Sequence, residues 1–343
     1  MKATLSTVIV AFNSAPDLAR TLPALAGEMT AGDELIVIDN CSEEDPTSTV
    51  KAAVPGARIE RLETNTGFAA AANRGVELAG GDLVVVLNPD ARPESGWGEA
   101  IRRPLEEQPD WTAWMALVTF VEGEQRLINS LGNPVHFTGI SWAGGHGLPL
   151  DQAGPSREVP TASGACLAMP RETWRRTGGF AGEFFLYHED VDLSLRIRAA
   201  GGRIGLETAA VVDHDYEFSA SPGKWRWLER NRWATLIRNY PAPLLVLLAP
   251  ALLATELALL PVAMRGGWVG HKLRSWGDLL RWMPRLLRER RLIGSARTVT
   301  NAAFAANLTP DLDSPYIPGI AHGPVVRGLL RGYWRLVRTL LPG

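Results

Sequence analysis

A chain of 343 residues, 46% hydrophobic and 21% charged, has the composition of a folded protein and the length for one large domain with an appendage. Its formal net charge of −2 conceals a division: residues 1–223 hold 17 Lys and Arg against 31 Asp and Glu, whereas residues 224–343 hold 18 against 6. The acidic part argues against a nucleic-acid groove, and the basic, Trp-rich and apolar second part points to an anionic membrane surface.

Residues 6–12 are β-branched and apolar and predict a first strand. Their apolar core is too short for a signal peptide and no small-residue cleavage site follows, so the chain is expected to stay in the cytoplasm. Asn13-Ser14-Ala15-Pro16 breaks the run, and Leu18, Leu22, Leu25 and Met29 then recur at helical spacing. The same strand, polar loop and helix return over 34–38, 40–46 and 47–54, and again over 58–62 and 69–79, before a strand at 82–87. Such alternation predicts a mainly parallel sheet covered on both faces. Cys41 and Cys166 stand apart from any Cys-x-x-Cys or Cys/His spacing, so neither a disulfide framework nor a zinc site follows. Beyond Asp90 the pattern loosens to a helix near 97–107, a strand near 114–121 and a Gly-rich loop over 139–154 of the kind that covers a site. A short strand at 164–169, a short helix at 171–177, a firmer helix at 190–200 ended by Gly201-Gly202, and a last strand at 209–213 reaching His214 complete the first part.

The boundary falls at 221/222. Lys224, Trp225, Arg226, Trp227, Arg230, Arg232, Trp233 and Arg238 make a basic aromatic stretch, followed by an almost wholly apolar run over 242–264. Its 23 residues could cross a bilayer, but Pro243, Pro250, Pro261 and Glu256 interrupt it, which favours a bent, half-inserted helix pair. Basic residues flank both sides, so charge sets no orientation. A buried helix packed on the first domain is the plainer alternative. Residues 276–291 read as a basic amphipathic helix on the headgroup layer.

Neither a P-loop nor a Gly-x-Gly-x-x-Gly fingerprint occurs, so a phosphate would be held otherwise. Asp39, Asp90 and Asp190 each follow an apolar, strand-like run, and acids beyond the carboxyl ends of strands in an open α/β sheet can converge on one polar ligand and a cation. Asn13, Asn40, Asn65 with Gly67, and Asn73 accompany them in the loops. For any one of these a turn former or helix cap is the plainer role, and their recurrence carries the argument. Asn88-Pro89-Asp90 offers a carboxylate that could ligate Mg²⁺ or Mn²⁺ and through it two phosphates, with a Pro turn as the alternative. His188-Glu189-Asp190-Val191-Asp192 places more ionisable groups at a helix start than capping needs, leaving one acid for catalysis. His214 is a candidate metal ligand or a structural imidazole.

In order, Val8-Ile-Val-Ala-Phe12-Asn13, Val37-Ile-Asp39-Asn40-Cys-Ser42, Asn65-Thr-Gly67-Phe68 with Asn73, Leu87-Asn88-Pro-Asp90, Gly164-Ala-Cys, Gly178-Gly179-Phe180 and Glu189-Asp190-Val-Asp192-Leu193 resemble the family-2 inverting glycosyltransferases, most of all their rhamnosyltransferase-type branch. The resemblance covers about residues 6–219. It implies the nucleotide-sugar-binding glycosyltransferase-A fold and a metal-dependent single displacement with inversion. By position, Phe12, Asn13, Asp39, Asn40, Asn65, Gly67, Asn73 and Asn88 would form the donor site. Asp90 would be the last acid of the metal-binding D-x-D element, whose first acid is here Asn88, one charge fewer on the cation. Asp190 would be the general base, with Glu189 beside it, His188 and Asp192 would orient the acceptor, and His214 would be a late metal or diphosphate ligand. The implied partners are a nucleotide-sugar donor, with dTDP-rhamnose the first expectation, and a cell-envelope saccharide or polyprenyl-linked acceptor at the cytoplasmic face of the membrane, reached through residues 224–300. A UDP-sugar donor and a silent nucleotide-binding scaffold are the alternatives. A nucleotidyltransferase would want Lys or Arg in the first loop, which has none, and an oligomer stays open.

Overall fold

A computed structural model describes residues 3–214, 222–314 and 323–342. The first half follows the alternation: β1 (Leu5–Ala11), α1 (Ala15–Glu28), β2 (Glu34–Asp39), α2 (Thr47–Ala53), β3 (Arg58–Arg61), α3 (Phe68–Leu78) and β4 (Leu83–Leu87). All residues of β1 and β4 are buried, as strands covered on both faces must be. Gly75 lets α3 lie on β1, since a Cβ there would meet Val8 Cγ1 at 2.2 Å.

Next come β5 (Ala91–Pro93), α4 (Trp97–Ala100), α5 (Pro104–Glu107), β6 (Trp111–Glu122), β7 (Gln125–Ser130), β8 (Arg157–Glu158), β9 (Cys166–Pro170), α6 (Arg171–Thr177), α7 (Glu189–Ala199) and β10 (Arg203–His214). The helix expected near 97–107 is two short ones, because Pro104 has no N–H to continue the ladder and starts a new turn instead. Strand order is β3-β2-β1-β4-β9-β6-β10-β5, with β7 on β6 and β8 on β10. β3, β2, β1 and β4 are mutually parallel; β9 runs antiparallel between β4 and β6, and β10 is parallel to β6. The sheet is therefore mixed beyond β4, yet β1, β2, β4, β6 and β10 all end at the same edge. The carboxyl ends that carry the candidate acids are gathered there.

The C-terminal part is helical: α8 (Pro222–Asn239), α9 (Ala242–Arg265), α10 (Val269–Ser295), α11 (Asn301–Ala305) and α12 (Pro324–Leu340). The expected boundary at 221/222 falls at the edge of residues outside the described ones. On either side of it the two parts share a core, in which Val191, Leu195 and Ala199 of α7 pack with Leu236, Tyr240, Leu244, Phe304 and Trp334. The apolar run is one continuous helix, α9, and not a bent pair. Leu244, Leu248 and Leu252, four residues apart, bury one stripe against the protein, and that packing keeps Pro250 within a single helix. Only 11% of its most apolar window is buried, so α9 is no core helix.

The basic aromatic stretch also departs from expectation, because much of it turns inward. Lys224, Arg232 and Arg238 are buried rather than facing headgroups. Arg232 and Lys272 meet Glu229 and Glu256, with Lys272 Nζ 2.8 Å from Glu256 Oε2, so the acid that interrupts the apolar run ties α8, α9 and α10 together. A charge without water persists only when partnered, and the partners exist only in the folded protein.

Candidate active site

The β10–β5 register sets His214 opposite Ala91 and so beside Asp90. His214 Nε2 lies 3.1 Å from Asp90 Oδ1, and Asn88 Nδ2 lies 3.4 Å from the same nitrogen. Burial disfavours the Asp90 carboxylate, but the His214 bond and charge outweigh it and hold its pKa below the ordinary value. Among the described residues no group of three or more His, Cys, Asp and Glu converges. A carboxylate, an imidazole and an amide suit a hard divalent cation that takes its other ligands from phosphate and water.

Across the same cleft stands the acid pair that opens α7. Asp190 Oδ2 accepts from Gly164 N (2.9 Å) and Asn133 Nδ2 (3.1 Å), and its Oδ1 accepts from Val191 N (2.7 Å). Glu189 is buried and its Oε2 has no hydrogen-bond partner among the described residues. Burial raises both pKa values, and the neighbouring Asp190 charge drives Glu189 further, well above the usual carboxylate range. With three donors Asp190 keeps the negative charge, while Glu189 takes the proton. His188, pushed down to about 4 by burial and then by Arg232, lines the cleft as a neutral imidazole.

The approach to this pair is strained. Phe185, Tyr187 and His188 have φ of 64°, 70° and 67°, positions where side chains cost about 1–3 kcal/mol each. Asn231 of α8, wholly buried, offsets this by donating to the carbonyl oxygens of Phe184 (2.8 Å), Leu186 (2.9 Å) and Tyr187 (2.7 Å). Arg230 donates to those of Glu183 (2.7 Å) and Phe184 (2.8 Å). Gly67 makes the other wall, since a Cβ there would meet Phe185 at 2.5–2.6 Å.

The cleft is about 570 Å³. Of the residues expected in the donor site, Phe12, Asn40, Asn65, Gly67 and Asn88 line it. Phe12 is 48% exposed, an open aromatic face at the end of β1. Asn40 Nδ2 donates to Asn65 Oδ1 at 2.9 Å, and the side-chain Oδ1 atoms of Asn40 and Asn65 accept from Thr66 N and Gly67 N respectively, which shapes the loop.

Asn13, Asp39 and Asn73 are not brought to the cleft wall. Asn13 (φ 51°) is a turn residue whose Oδ1 accepts from Glu43 N. Asp39, fully buried, accepts from Ser42 N and faces Arg61 at 3.4 Å. Asn73 brackets Phe180, donating to its carbonyl (2.7 Å) and accepting from its amide (3.0 Å). Gly179 permits that approach, as a Cβ would meet Asn73 Oδ1 at 2.4 Å. Asp192, expected to orient the acceptor, instead points away to Arg196 (2.9 Å), Arg238 (2.8 Å) and Asn239 (2.8 Å). Burial opposes its charge, but the two guanidinium groups hold its pKa down to about 2. It fastens α7 to α8.

Sequence reasoning missed Asn133, Asn231 and the cleft-facing places of Trp142, His146, Lys224 and Trp225. Asn133 sits in a Gly-Asn-Pro turn like many others, and only the fold carries it to Asp190. Lys224 and Trp225 belong to a stretch whose composition resembles a membrane-facing one.

Residues 6–173 match the family described as Glycosyl transferase family 2. An N-acetylglucosaminyl-diphospho-decaprenol L-rhamnosyltransferase of Mycobacterium tuberculosis is 28% identical over 236 residues, 62% of this chain and 77% of that protein. A pre-mycofactocin glycosyltransferase of the same organism is 28% identical over 214 residues, 62% of this chain and 42% of its own length. Among solved structures, GalNAc-T7 with UDP, GalNAc and Mn²⁺ superposes with a TM-score of 0.57 at 17% identity, covering 69% of this chain and 48% of that one. Residues 1–349 of S. aureus TarS superpose with a TM-score of 0.51 at 13% identity, covering 98% and 90%. At such identities the structures speak for the fold alone.

Proposed function

The chain belongs to glycosyl transferase family 2, and from that premise we propose that it moves rhamnose from dTDP-rhamnose to a cell-envelope saccharide carried on a polyprenyl diphosphate, with inversion. One observation carries the mechanism: the Asp190–Glu189 pair lines the same cleft as Asp90 and His214. Asp190 is the general base. It takes the acceptor hydroxyl proton while that oxygen bonds to the anomeric carbon from one side and the bond to the diphosphate oxygen breaks on the other, the electron pair leaving with the diphosphate. Gly164, Val191 and Asn133 aim the carboxylate, and protonated Glu189 avoids a second charge beside it. Asp90 and His214, with Asn88 next to them, would hold Mg²⁺ or Mn²⁺, which when bound neutralises diphosphate charge. Phe12 and the Asn40–Asn65 loop would face the nucleoside.

The acceptor reading rests on the rhamnosyltransferase relative and on the outer surface. Val246, Leu253 and Leu257 of α9, Leu273, Leu280 and Leu287 of α10, and Val325, Leu329 and Leu336 of α12 are exposed, with Arg274, Arg281, Arg288, Arg331 and Arg335 exposed near them. An apolar and arginine-rich exterior suits an anionic bilayer at the cytoplasmic face, where a lipid-linked saccharide would be met. One buried stripe on α9 fits a helix lying against the protein while its other side enters lipid.

Calorimetric titration with dTDP, UDP and GDP, each with Mn²⁺ or with chelator, tests the donor. Mn²⁺-dependent preference for dTDP is expected. Preference for UDP would keep the chemistry and replace the donor by a UDP-sugar, since thymine and uracil share an imide edge. Binding of none would overturn the enzyme reading in favour of a silent scaffold.

A further inference from the structure

We propose that Lys224, in the first turn of α8, is a substrate-binding cation that grips the diphosphate of the nucleotide-sugar donor and steadies its charge as it leaves, doing part of the work left undone by Asn88. The proposal rests on the transfer reading above and goes beyond it by assigning the leaving-group contact to a helix outside the segment that matches the family. Lys224 lines the cleft together with Asn88, Asp90, His214 and Asp190, and it is the one Lys or Arg among the described residues that do so.

The arginines of α8 hold parts of the fold together. Arg226 bonds Asp278 at 2.6 Å, Arg230 holds the carbonyls of Glu183 and Phe184, Arg232 meets Glu229 and Glu256, and Arg238 holds Asp192. The Lys224 ammonium stands 4.9 Å from the centre of the Tyr187 ring, one residue before His188 on the strained approach to Asp190.

The charge balance supports the assignment. Asp90 and Asp190 line the cleft as carboxylates, so a donor bringing a diphosphate enters an acidic site. A divalent cation held by Asp90 and His214 lacks the second carboxylate that an acid in place of Asn88 would add, and such a site leans on the diphosphate itself. A second, fixed positive charge removes part of that burden. Lys224 is 7% exposed, and burial pulls its pKa down to about 8, a shift that a diphosphate bound beside it would oppose. In the reaction the anomeric C–O bond breaks with its electron pair on the diphosphate oxygen, the acceptor oxygen forms the new bond, and its proton goes to Asp190. Lys224 donates a hydrogen bond and exchanges no proton.

The test compares the full chain with Lys224→Met, which keeps the aliphatic stem over Tyr187, and Lys224→Arg, which keeps the charge. Each is titrated with the nucleoside diphosphate preferred by the parent protein, and with the matching monophosphate and nucleoside, at fixed Mn²⁺. Lys224→Met is expected to weaken the diphosphate about tenfold or more, the monophosphate less and the nucleoside not at all, with Lys224→Arg recovering most of the loss. Unchanged diphosphate affinity in Lys224→Met would overturn the assignment. So would equal losses for diphosphate and nucleoside, which would mark a packing role. If the parent protein binds no nucleoside diphosphate, the transfer reading itself fails, and that outcome is read before any variant is compared.

Discussion

Asp190 and Glu189 differ by one position and by three hydrogen bonds. Because Gly164, Val191 and Asn133 all donate to Asp190, it holds a charge that Glu189, buried with an oxygen unpartnered among the described residues, gives up. Asp190→Asn keeps the shape and removes the carboxylate proposed as the base, so kcat is expected to fall about 10²- to 10⁴-fold while nucleotide affinity changes little. A comparable loss of nucleotide affinity in calorimetry would refute the base assignment. The raised pKa of Asp190 also has a sign. The base must be unprotonated, so kcat/KM should decline on acidification at a pH above the 3.8 of an ordinary aspartate. Glu189 carries the complementary prediction. An acid whose pKa is raised by folding binds its proton more tightly in the native state, so its ionisation costs stability above that raised pKa and the cost fades as pH falls through it. Glu189→Gln should therefore melt at a higher temperature than the parent at pH 8, with the gap closing toward pH 4. A gap that widens on acidification would show that Glu189 is charged and stabilising.

At the scale of elements, α8 does two jobs that composition hid. Its buried face holds α7 through Arg238, Asn239 and Asp192, and it holds the strained segment before the base through Asn231. A loop with three residues at positive φ relaxes unless something over-determines it. Asn231→Ala leaves the carbonyls of Phe184, Leu186 and Tyr187 without that donor inside the protein, at a cost of about 1–3 kcal/mol, and lets the loop drift from the base. The expected result is a lower melting temperature and a kcat reduced about 10- to 100-fold, with KM for the donor nearly unchanged. A loss confined to donor KM would place the role of Asn231 elsewhere.

For the whole molecule, the helical part and the sheet form one packed body, so removing residues 224–343 would take away Lys224, Asn231 and Arg238 along with any membrane contact. Membrane attachment is better tested on exposed side chains. Leu253, Leu257 and Leu280 are 62%, 60% and 70% exposed. Changing all three to Glu should abolish most cosedimentation with vesicles containing anionic lipid and leave nucleoside diphosphate binding intact. Unaltered cosedimentation would exclude α9 and α10 as the contact.

What the sequence determined by itself was local: the strand-loop-helix alternation through β4, the acids and amides at strand ends, the start of α7 to within one residue and the apolar run that α9 carries. Periodicity and turn chemistry are properties of a few adjacent residues and survive without knowing the fold. The tertiary structure decided what depends on distant pairs. It made β9 antiparallel, brought Asn133 to Asp190 across 57 positions and Asn231 to the loop 44 to 47 positions away, and turned Lys224 into the cleft. It also gave Asn73 and Asp192, which share their local pattern with site residues, to Phe180 and to Arg196 and Arg238. A buried charge or amide goes to whichever partner the packing supplies, and no spacing along the chain announces that partner.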